Sequence, residues 1–285
     1  MNLPYLTSKN INAFIKAALA EDIGSGDHSS LGSIPENATS EAHLIIKDDG
    51  VIAGLELAEK IFHHIDSNLA IKFNKKDGDL IEHGEIGFTV KGSSRSILSA
   101  ERLVLNCLQR MSAVATYTHH MNQLIKGSKA RLLDTRKTTP LFRLAEKWAV
   151  VIGGGVNHRF GLYDMVMLKD NHIDFAGGVK NAINQTVAYL EKNKLKLNIE
   201  IEVRSLKELD EVLEVGQVHR VMLDNMLPSD IRQAIKMIGG RFETEASGGI
   251  TEKTIAEIAE TGVDYISVGA LTHSYRSLDM SLKAI

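Results

Sequence analysis

From Arg131 onward, short apolar runs alternate with amphipathic stretches, and this alternation constrains the fold more than any other feature of the chain. The apolar runs are 131–133, 165–168, 198–203, 220–223, 242–246 and 265–268. Between the later ones lie 206–215, 229–238 and 252–260, each with apolar residues at helical spacing. Strand, helix and strand in repeated succession specify βα units and a parallel sheet. Each run ends on a polar or small residue: Asp134, Lys169, Glu202, Asp224, Ser247 and Gly269. In a βα barrel those ends face one rim, and that rim hosts the chemistry. A doubly wound open sheet competes with this architecture, because six runs are too few for an eight-stranded barrel by spacing alone.

The first 94 or so residues follow another pattern. A helical stretch over 10–21 precedes short extended runs at 41–47, 69–74 and 86–91, separated by Asp48-Asp49-Gly50 and Asp77-Gly78-Asp79. This spacing predicts a small α+β sheet domain without evident chemistry of its own. The Gly-rich Asp22–Asp27 stretch reads as a loop rather than a phosphate cradle. One long helix over about 96–126 follows, with no Pro or Gly to break it before Gly127.

Length and composition set outer bounds. With 285 residues, 44% hydrophobic and 24% charged, the chain can bury a core without staples. Cys107 is its one cysteine, so no internal disulfide or cysteine metal cluster can form, and a reducing cytoplasm fits best. The segment 1–20 lacks the pattern of a secretory signal, and no apolar run reaches the roughly 18 residues of a membrane span. A net charge of −3 argues against a nucleic-acid partner. The cations are nonetheless bunched: Arg131, Arg136, Lys137, Arg143, Lys147, Arg159 and Lys169 face only Asp134, Glu146 and Asp164 in the same stretch. Such a local positive field suggests a site for a small anionic ligand.

Three motifs carry chemistry. Asp134-Thr135-Arg136-Lys137-Thr138-Thr139-Pro140 sets adjacent cations and hydroxyls just after a strand, a composition suited to carboxylate or phosphate. Gly153-Gly154-Gly155-Val156-Asn157-His158-Arg159 is Gly-rich and cationic, but fits neither a Walker loop nor a dinucleotide fingerprint. Lys169-Asp170-Asn171-His172 follows a strand. Its lysine is a phosphate partner, a Schiff-base nucleophile, or a structural ion pair with Glu202 or Asp224. Those two carboxylates can hold Mg²⁺ or stabilise a developing cation. The late turns Ser247-Gly248-Gly249 and Gly269-Ala270 match the place where barrels build phosphate sites from backbone N–H groups and a helix N-terminus. Cations, two carboxylates and a phosphate cradle at one rim point to a phosphorylated sugar plus a second anionic substrate.

Taken together, Asp134–Pro140, Gly153–Arg159 and Lys169–Ile173 resemble the quinolinate phosphoribosyltransferase family. The likeness extends to Glu21-Asp22-x-Gly-x-Gly-Asp27, Glu101-Arg102-x-x-Leu-Asn106, Glu200-x-Glu202-Val203, Met222–Asn225, Glu245–Ile250 and Ser267–His273, so it covers nearly the whole chain. One departure is visible: Leu141 stands where many relatives carry glycine. The resemblance implies an α/β fold, an incomplete seven-stranded α/β barrel (111–273) with a small N-terminal α/β sandwich domain (1–110) joined by the C-terminal segment 274–285. It implies a homodimer with shared active sites, with further assembly left open. The reaction it implies joins quinolinate to phosphoribosyl pyrophosphate with Mg²⁺, releasing pyrophosphate and CO₂ and giving nicotinate mononucleotide for NAD biosynthesis. Arg102, Arg136, His158 and Arg159 match the family's quinolinate cations, with Lys137 and Lys169 close to both substrates. Glu202 and Asp224 match the sugar and metal side, and Ser247, Gly248, Gly249, Gly269 and Ala270 the 5′-phosphate cradle. Rival readings are a Schiff-base aldolase or lyase using Lys169, a molybdenum-locus homologue of the family with a different substrate, and a non-catalytic binding module.

Overall fold

A computed structural model describes residues 3–285, so Met1 and Asn2 of the 1–20 segment lie outside the described residues. In chain order the elements begin with α1 (Ser8–Ile23), α2 (His28–Ser33), β1 (Thr39–Ile46), β2 (Gly50–Val51), α3 (Leu55–Ile65), β3 (Ala70–Phe73), β4 (Leu80–Ile81), β5 (Ile86–Ser93) and α4 (Ser94–Leu124). Next come β6 (Arg131–Leu133), α5 (Arg143–Ile152), β7 (Val166–Leu168), α6 (Asp170–Ala176), α7 (Val179–Lys192), β8 (Ile199–Val203), α8 (Leu206–Val215) and β9 (Arg220–Asp224). The chain ends with α9 (Pro228–Ile238), β10 (Glu243–Ser247), α10 (Ile255–Ala259), β11 (Tyr265–Ser267), α11 (Ala270–His273) and β12 (Met280–Ala284). Among the described residues, no helix is long and apolar enough to cross a membrane.

Two compact units result. The first holds the chain up to His119, Thr138–Gly154 and Ala270–Ile285. Its main sheet has the order β12-β1-β5-β3, with β12 antiparallel to β1 in the register Ala42↔Ala284 to Ile46↔Met280. Alternation along β1 buries Ala42, Leu44 and Ile46 on one face, as a half-buried strand requires. Phe88 of β5 meets Phe62 of α3 edge-on at 5.8 Å between centroids, and Phe73 of β3 at the same distance. Helix α4 is tied in by hydroxyls: Ser112 accepts from the Ala53 N–H and Thr116 from the Val51 N–H, both at 2.9 Å.

Helix α3 has no capping side chain of its own, since Gly54 stands at its N-cap with φ 103°. Asp77 supplies the cap from a distant turn. Its Oδ1 accepts from the N–H groups of Gly54 (2.7 Å) and Leu55 (2.9 Å), and its Oδ2 from that of Glu56 (3.2 Å). Removing these acceptors orphans three helix-terminal donors. Asp77→Ala is therefore expected to cost about 1–2 kcal/mol of stability. Asp77→Asn, which keeps one acceptor oxygen, should lose less, and urea unfolding of the two variants checks the order.

The second unit, His120–Lys137 with Gly155–Gly269, is the incomplete α/β barrel. Its six strands are all parallel in the order β6-β11-β10-β9-β8-β7, and they fall on the six apolar runs within a residue or two. A parallel bridge from Leu133 to Val156 adds a seventh position beside β6. Ile201, Val203, Val221, Leu223 and Ile266 have no exposed surface, and each such side chain contributes about 1.5–3 kcal/mol by burial. Helices α8 and α9 lie where the spacing predicts them. Helices α6 and α7 are additions here, as is α5 in the first unit, where the residues from Leu144 to Val150, Glu146 and Lys147 included, are all buried. A helix buried on every side has no polar stripe to read.

Candidate active site

Asp134, directly after β6, joins the first two motifs. Fully buried, it accepts from Asn157 Nδ2 at 2.6 Å and from the His158 N–H at 2.8 Å. The Gly-Gly-Gly-x-Asn-His-Arg segment is thus pinned beside the Asp-Thr-Arg-Lys loop. Arg136 and Lys137 are exposed, and the Lys137 N–H donates to Thr135 Oγ1 at 3.1 Å.

Arg159 is buried and donates through Nη1 to the Met165 carbonyl at 3.2 Å. Burial, and then the positive charge of Arg136, hold it below the usual guanidinium range; Glu200 and Asp164 act the other way. It stays charged, as a guanidinium does in a protein. Two like charges so placed are costly until an anion lies between them.

His158 turns inward. Its Nδ1 accepts from the Arg159 N–H at 2.7 Å, while its Nε2 lies 2.9 Å from Glu200 Oε2 and 3.6 Å from Glu245 Oε2. Glu200 and Glu245 have no exposed surface. Arg220 Nη1 donates to Glu245 Oε2 at 3.0 Å and its Nη2 to Glu243 Oε2 at 2.8 Å, with the guanidinium 4.1 Å above the Tyr265 ring. Burial raises both Glu200 and Glu245 above the carboxylate range, Glu245 to about 8 with Glu200 as the second cause. The sequence reading quoted both glutamates but gave them no role. The available signal was Ile-Glu-Ile-Glu-Val on β8: two carboxylates on one face of a fully buried strand.

Glu202, two residues along the same face, meets Lys169 at 3.6 Å between Oε2 and Nζ. Burial raises the Glu202 carboxyl first and the negative charge of Asp224 second, with Lys169 opposing. Asp224 ends β9, pairs in register with Ser247 of β10, and accepts from Asn225 Nδ2 at 2.6 Å. Gly248 and Gly249 follow at φ +93° and +60°, and a Cβ on Gly248 would run into the Asn225 side chain. Glycine is needed there because successive left-handed residues turn their N–H groups to one side. The helices after the two late turns, α10 and α11, have five and four residues. The turn N–H groups, rather than a helix macrodipole, are therefore the donors available to a phosphate.

Within the barrel unit, then, the structure gathers Arg136, His158 and Arg159 near Glu200, and Lys169, Glu202 and Asp224 beside Ser247. Gly269 lies at the C-terminal end of β11. Arg102 is exposed on α4 and Ala270 opens α11, both in the other unit. The bunching of cations in sequence does not survive folding. Lys147 is fully buried in α5 of the first unit. Arg131 opens β6 and lines a cavity of about 750 Å³ at the N-terminal ends of the strands, opposite the rim. Leu141, in place of the family's glycine, has φ +62° and is 93% exposed; a left-handed position explains why glycine suits it.

A parallel barrel whose rim sets crowded cations beside paired carboxylates and a glycine turn defines an α/β-barrel enzyme for phosphorylated, anionic substrates. The chain belongs to the quinolinate phosphoribosyltransferase family. The C-terminal domain of that family matches residues 114–283 and the N-terminal domain residues 22–112. Quinolinate phosphoribosyltransferase (decarboxylating) 1b of Nicotiana tabacum is 47% identical, over 96% of this chain and 82% of its own length. The probable nicotinate-nucleotide pyrophosphorylase (carboxylating) of Bacillus subtilis is 40% identical, over 92% and 89%. Among solved structures, NadC from Streptococcus pyogenes has a TM-score of 0.91 at 40% identity, covering 98% of this chain and 99% of its own.

Proposed function

We propose that this chain transfers the phosphoribosyl group of phosphoribosyl pyrophosphate to quinolinate with decarboxylation, giving nicotinate mononucleotide, pyrophosphate and CO₂ for NAD biosynthesis. The observation that carries the choice of substrate is the crowding of Arg159 by Arg136. Each carboxylate of a dianion takes a charge-assisted partner there, and the repulsion of the two cations, which Glu200 and Asp164 already oppose, is offset further when it is bound. In this reading Arg136, His158, Arg159 and the trans Arg102 make up the quinolinate side, while Lys137 and Lys169 serve both substrates. Ser247, Gly248, Gly249, Gly269 and Ala270 receive the 5′-phosphate. The pyridine nitrogen attacks C1 of the ribose as pyrophosphate leaves. The bond from C2 to its carboxylate then breaks, its electrons stay on C2, and C2 takes a proton. Glu202 and Asp224 face the sugar as it becomes cationic.

The same two carboxylates fit a hard divalent cation, because their charges disfavour one another at one rim and Lys169 is the cation that meets Glu202 among the described residues. They would hold Mg²⁺ together with phosphoribosyl pyrophosphate, and the ion would offset pyrophosphate charge. Lys169 at 3.6 Å from Glu202 supports the ion-pair role over a Schiff-base one. Incubation with quinolinate, phosphoribosyl pyrophosphate and Mg²⁺ tests the reading: nicotinate mononucleotide and CO₂ should appear together. Nicotinate, with one carboxylate, should be a poor substrate, and comparable kcat/KM for the two acids would overturn the assignment.

The reading includes a homodimer with shared sites. Large exposed apolar side chains include Leu162 and Tyr163 between the Val156 bridge and β7, Phe175 after β7 and Leu227 after β9, with Phe175 89% exposed. A second copy covering them accounts for their exposure. Mixing inactive Arg102→Ala with inactive Lys137→Ala should then restore part of the activity, since one mixed site receives both native residues. No recovery after verified subunit exchange counts against it. A cytoplasmic setting is part of the same reading, on the ground that a single cysteine, Cys107, permits no internal disulfide.

A further inference from the structure

Arg136 and Lys137 are exposed, and the short segment that carries them is anchored on both sides. Upstream, Asp134 holds the Asn157 side chain and the His158 N–H. Downstream, the anchor lies wholly in the first unit, which the chain enters at Thr138. Glu146 of α5 is its centre and has no exposed surface. Its Oε2 accepts from the Thr139 N–H at 2.9 Å, and its Oε1 from the Tyr275 hydroxyl at 3.1 Å. Arg110 of α4 faces the same carboxylate. Its Nη2 lies 3.8 Å from Glu146 Oε1 and donates to Thr139 Oγ1 at 3.0 Å. Its Cζ stands 5.5 Å from the ring centroids of both Phe142 and Tyr275. Thr138 Oγ1 accepts from Arg143 Nε at 2.9 Å.

The chain spends a fully buried carboxylate here, and burying one is costly unless it is paired and hydrogen-bonded. Glu146 does not use it to cap α5: its bonds go to Thr139, outside the helix, and to Tyr275 of the C-terminal segment. Burial first, and then the negative charge of Glu146, push the Tyr275 phenol above its ordinary range, so the hydroxyl keeps the proton it donates. The turn it helps to hold needs holding. The Thr139 carbonyl accepts from the Phe142 N–H at 3.1 Å, with Pro140 and Leu141 at the centre of the turn. Leu141 stands at φ +62°, a region that disfavours any side chain as large as leucine, so the turn keeps its shape only while its flanks are fixed. We propose that Glu146 and Tyr275, with Arg110 against both rings, are positioning residues: they fix the turn that follows Lys137 and so hold Arg136 and Lys137 in place for quinolinate. The C-terminal segment thereby takes part in the chemistry through one hydroxyl. This role rests on the proposed reaction, whereas the anchor itself is a property of the first unit.

Three variants separate positioning from packing. Glu146→Ala removes both acceptors, and kcat/KM for quinolinate should fall about tenfold or more, since a misplacement of about 1 Å is enough to slow a reaction strongly. Tyr275→Phe removes one hydroxyl and keeps the ring against Arg110. It should lose about three- to tenfold while its unfolding temperature moves by no more than about 4 °C, so the loss is read in a folded enzyme. Glu146→Gln keeps an acceptor for the Thr139 N–H and can donate to the Tyr275 oxygen, so it should stay within about threefold of wild type. In the damaged variants KM for phosphoribosyl pyrophosphate should change by less than about threefold, because the Ser247–Gly249 turn follows β10 and not this anchor. Amide exchange reads the anchor without substrate. The Thr139 N–H should exchange at least about tenfold faster in Glu146→Ala and at the wild-type rate in Glu146→Gln, with the His158 N–H unchanged in both. An unchanged Thr139 rate in Glu146→Ala overturns the proposal, as does wild-type kcat/KM in Glu146→Ala and Tyr275→Phe. So does a Glu146→Gln enzyme as damaged as Glu146→Ala, or KM values for both substrates that rise together. Should Glu146→Ala fail to fold, the kinetics of Tyr275→Phe decide alone. A wild-type protein that makes no nicotinate mononucleotide would refute the reaction instead, and the exchange rates would still decide whether the anchor exists.

Discussion

Arg159→Ala is expected to lower kcat/KM for quinolinate by on the order of 10²–10³-fold while leaving KM for phosphoribosyl pyrophosphate within a few-fold. The size follows from where the side chain sits. Arg159 is buried, its guanidinium is anchored to the Met165 carbonyl, and its charge is crowded by Arg136. A carboxylate bound there loses its water and gains a charge-assisted partner. Removing one member of a buried, hydrogen-bonded charge pair costs about 2–5 kcal/mol, and each 1.4 kcal/mol is tenfold. Arg159→Lys restores the charge but not the planar fork, so it should recover only part of the loss. Steady-state kinetics with each substrate varied in turn, on variants shown to be folded, check the pattern. Equal damage to both KM values would place Arg159 in general packing instead.

Asp224→Asn should act on the other half of the reaction, lowering kcat by on the order of 10²–10³-fold with quinolinate binding unchanged. Asp224 ends β9 beside Ser247, and its charge already bears on Glu202. Carboxylates so placed stabilise the sugar most when it is cationic, which is at the transition state rather than in the bound substrate. The amide keeps the shape and loses the charge. The purified protein should carry negligible metal, yet turnover should cease in excess chelator and return with Mg²⁺, since the ion arrives with the substrate's phosphates. Full activity in chelator, or an unimpaired Asp224→Asn enzyme, removes the metal and carboxylate roles and leaves the anion grip alone.

Much of this architecture was legible before folding. The spacing of apolar runs located all six strands of the barrel sheet, because each strand is defined by burial of its own few residues. The polar residue at the end of each run marked the rim, because parallel strands present their C-terminal ends together. Helix α5 escaped, since burial of Leu144 to Val150 leaves no periodic contrast. Strand β12 escaped too: Met280–Ala284 reads as a strand only beside β1, some 235 residues away in the chain.

The site divides along the same line. Residue types and spacing pointed to anionic ligands, set Arg136, Lys169, Glu202 and Asp224 at or just beyond the strand ends, and marked Gly248 and Gly249 as a turn few other residues could make. Only the tertiary structure separated cations that are neighbours in sequence, sending Lys147 into α5, Arg131 to the opposite end of the barrel from Lys169, and the His158 ring inward to Glu200. It also brought Glu200 and Glu245 together from strands that are not adjacent, with Arg220 of the strand between them bonded to Glu245. Periodicity records what each segment does with its own surface, whereas the meeting of side chains from β8, β9 and β10 is set by sheet order and register, which no single segment encodes.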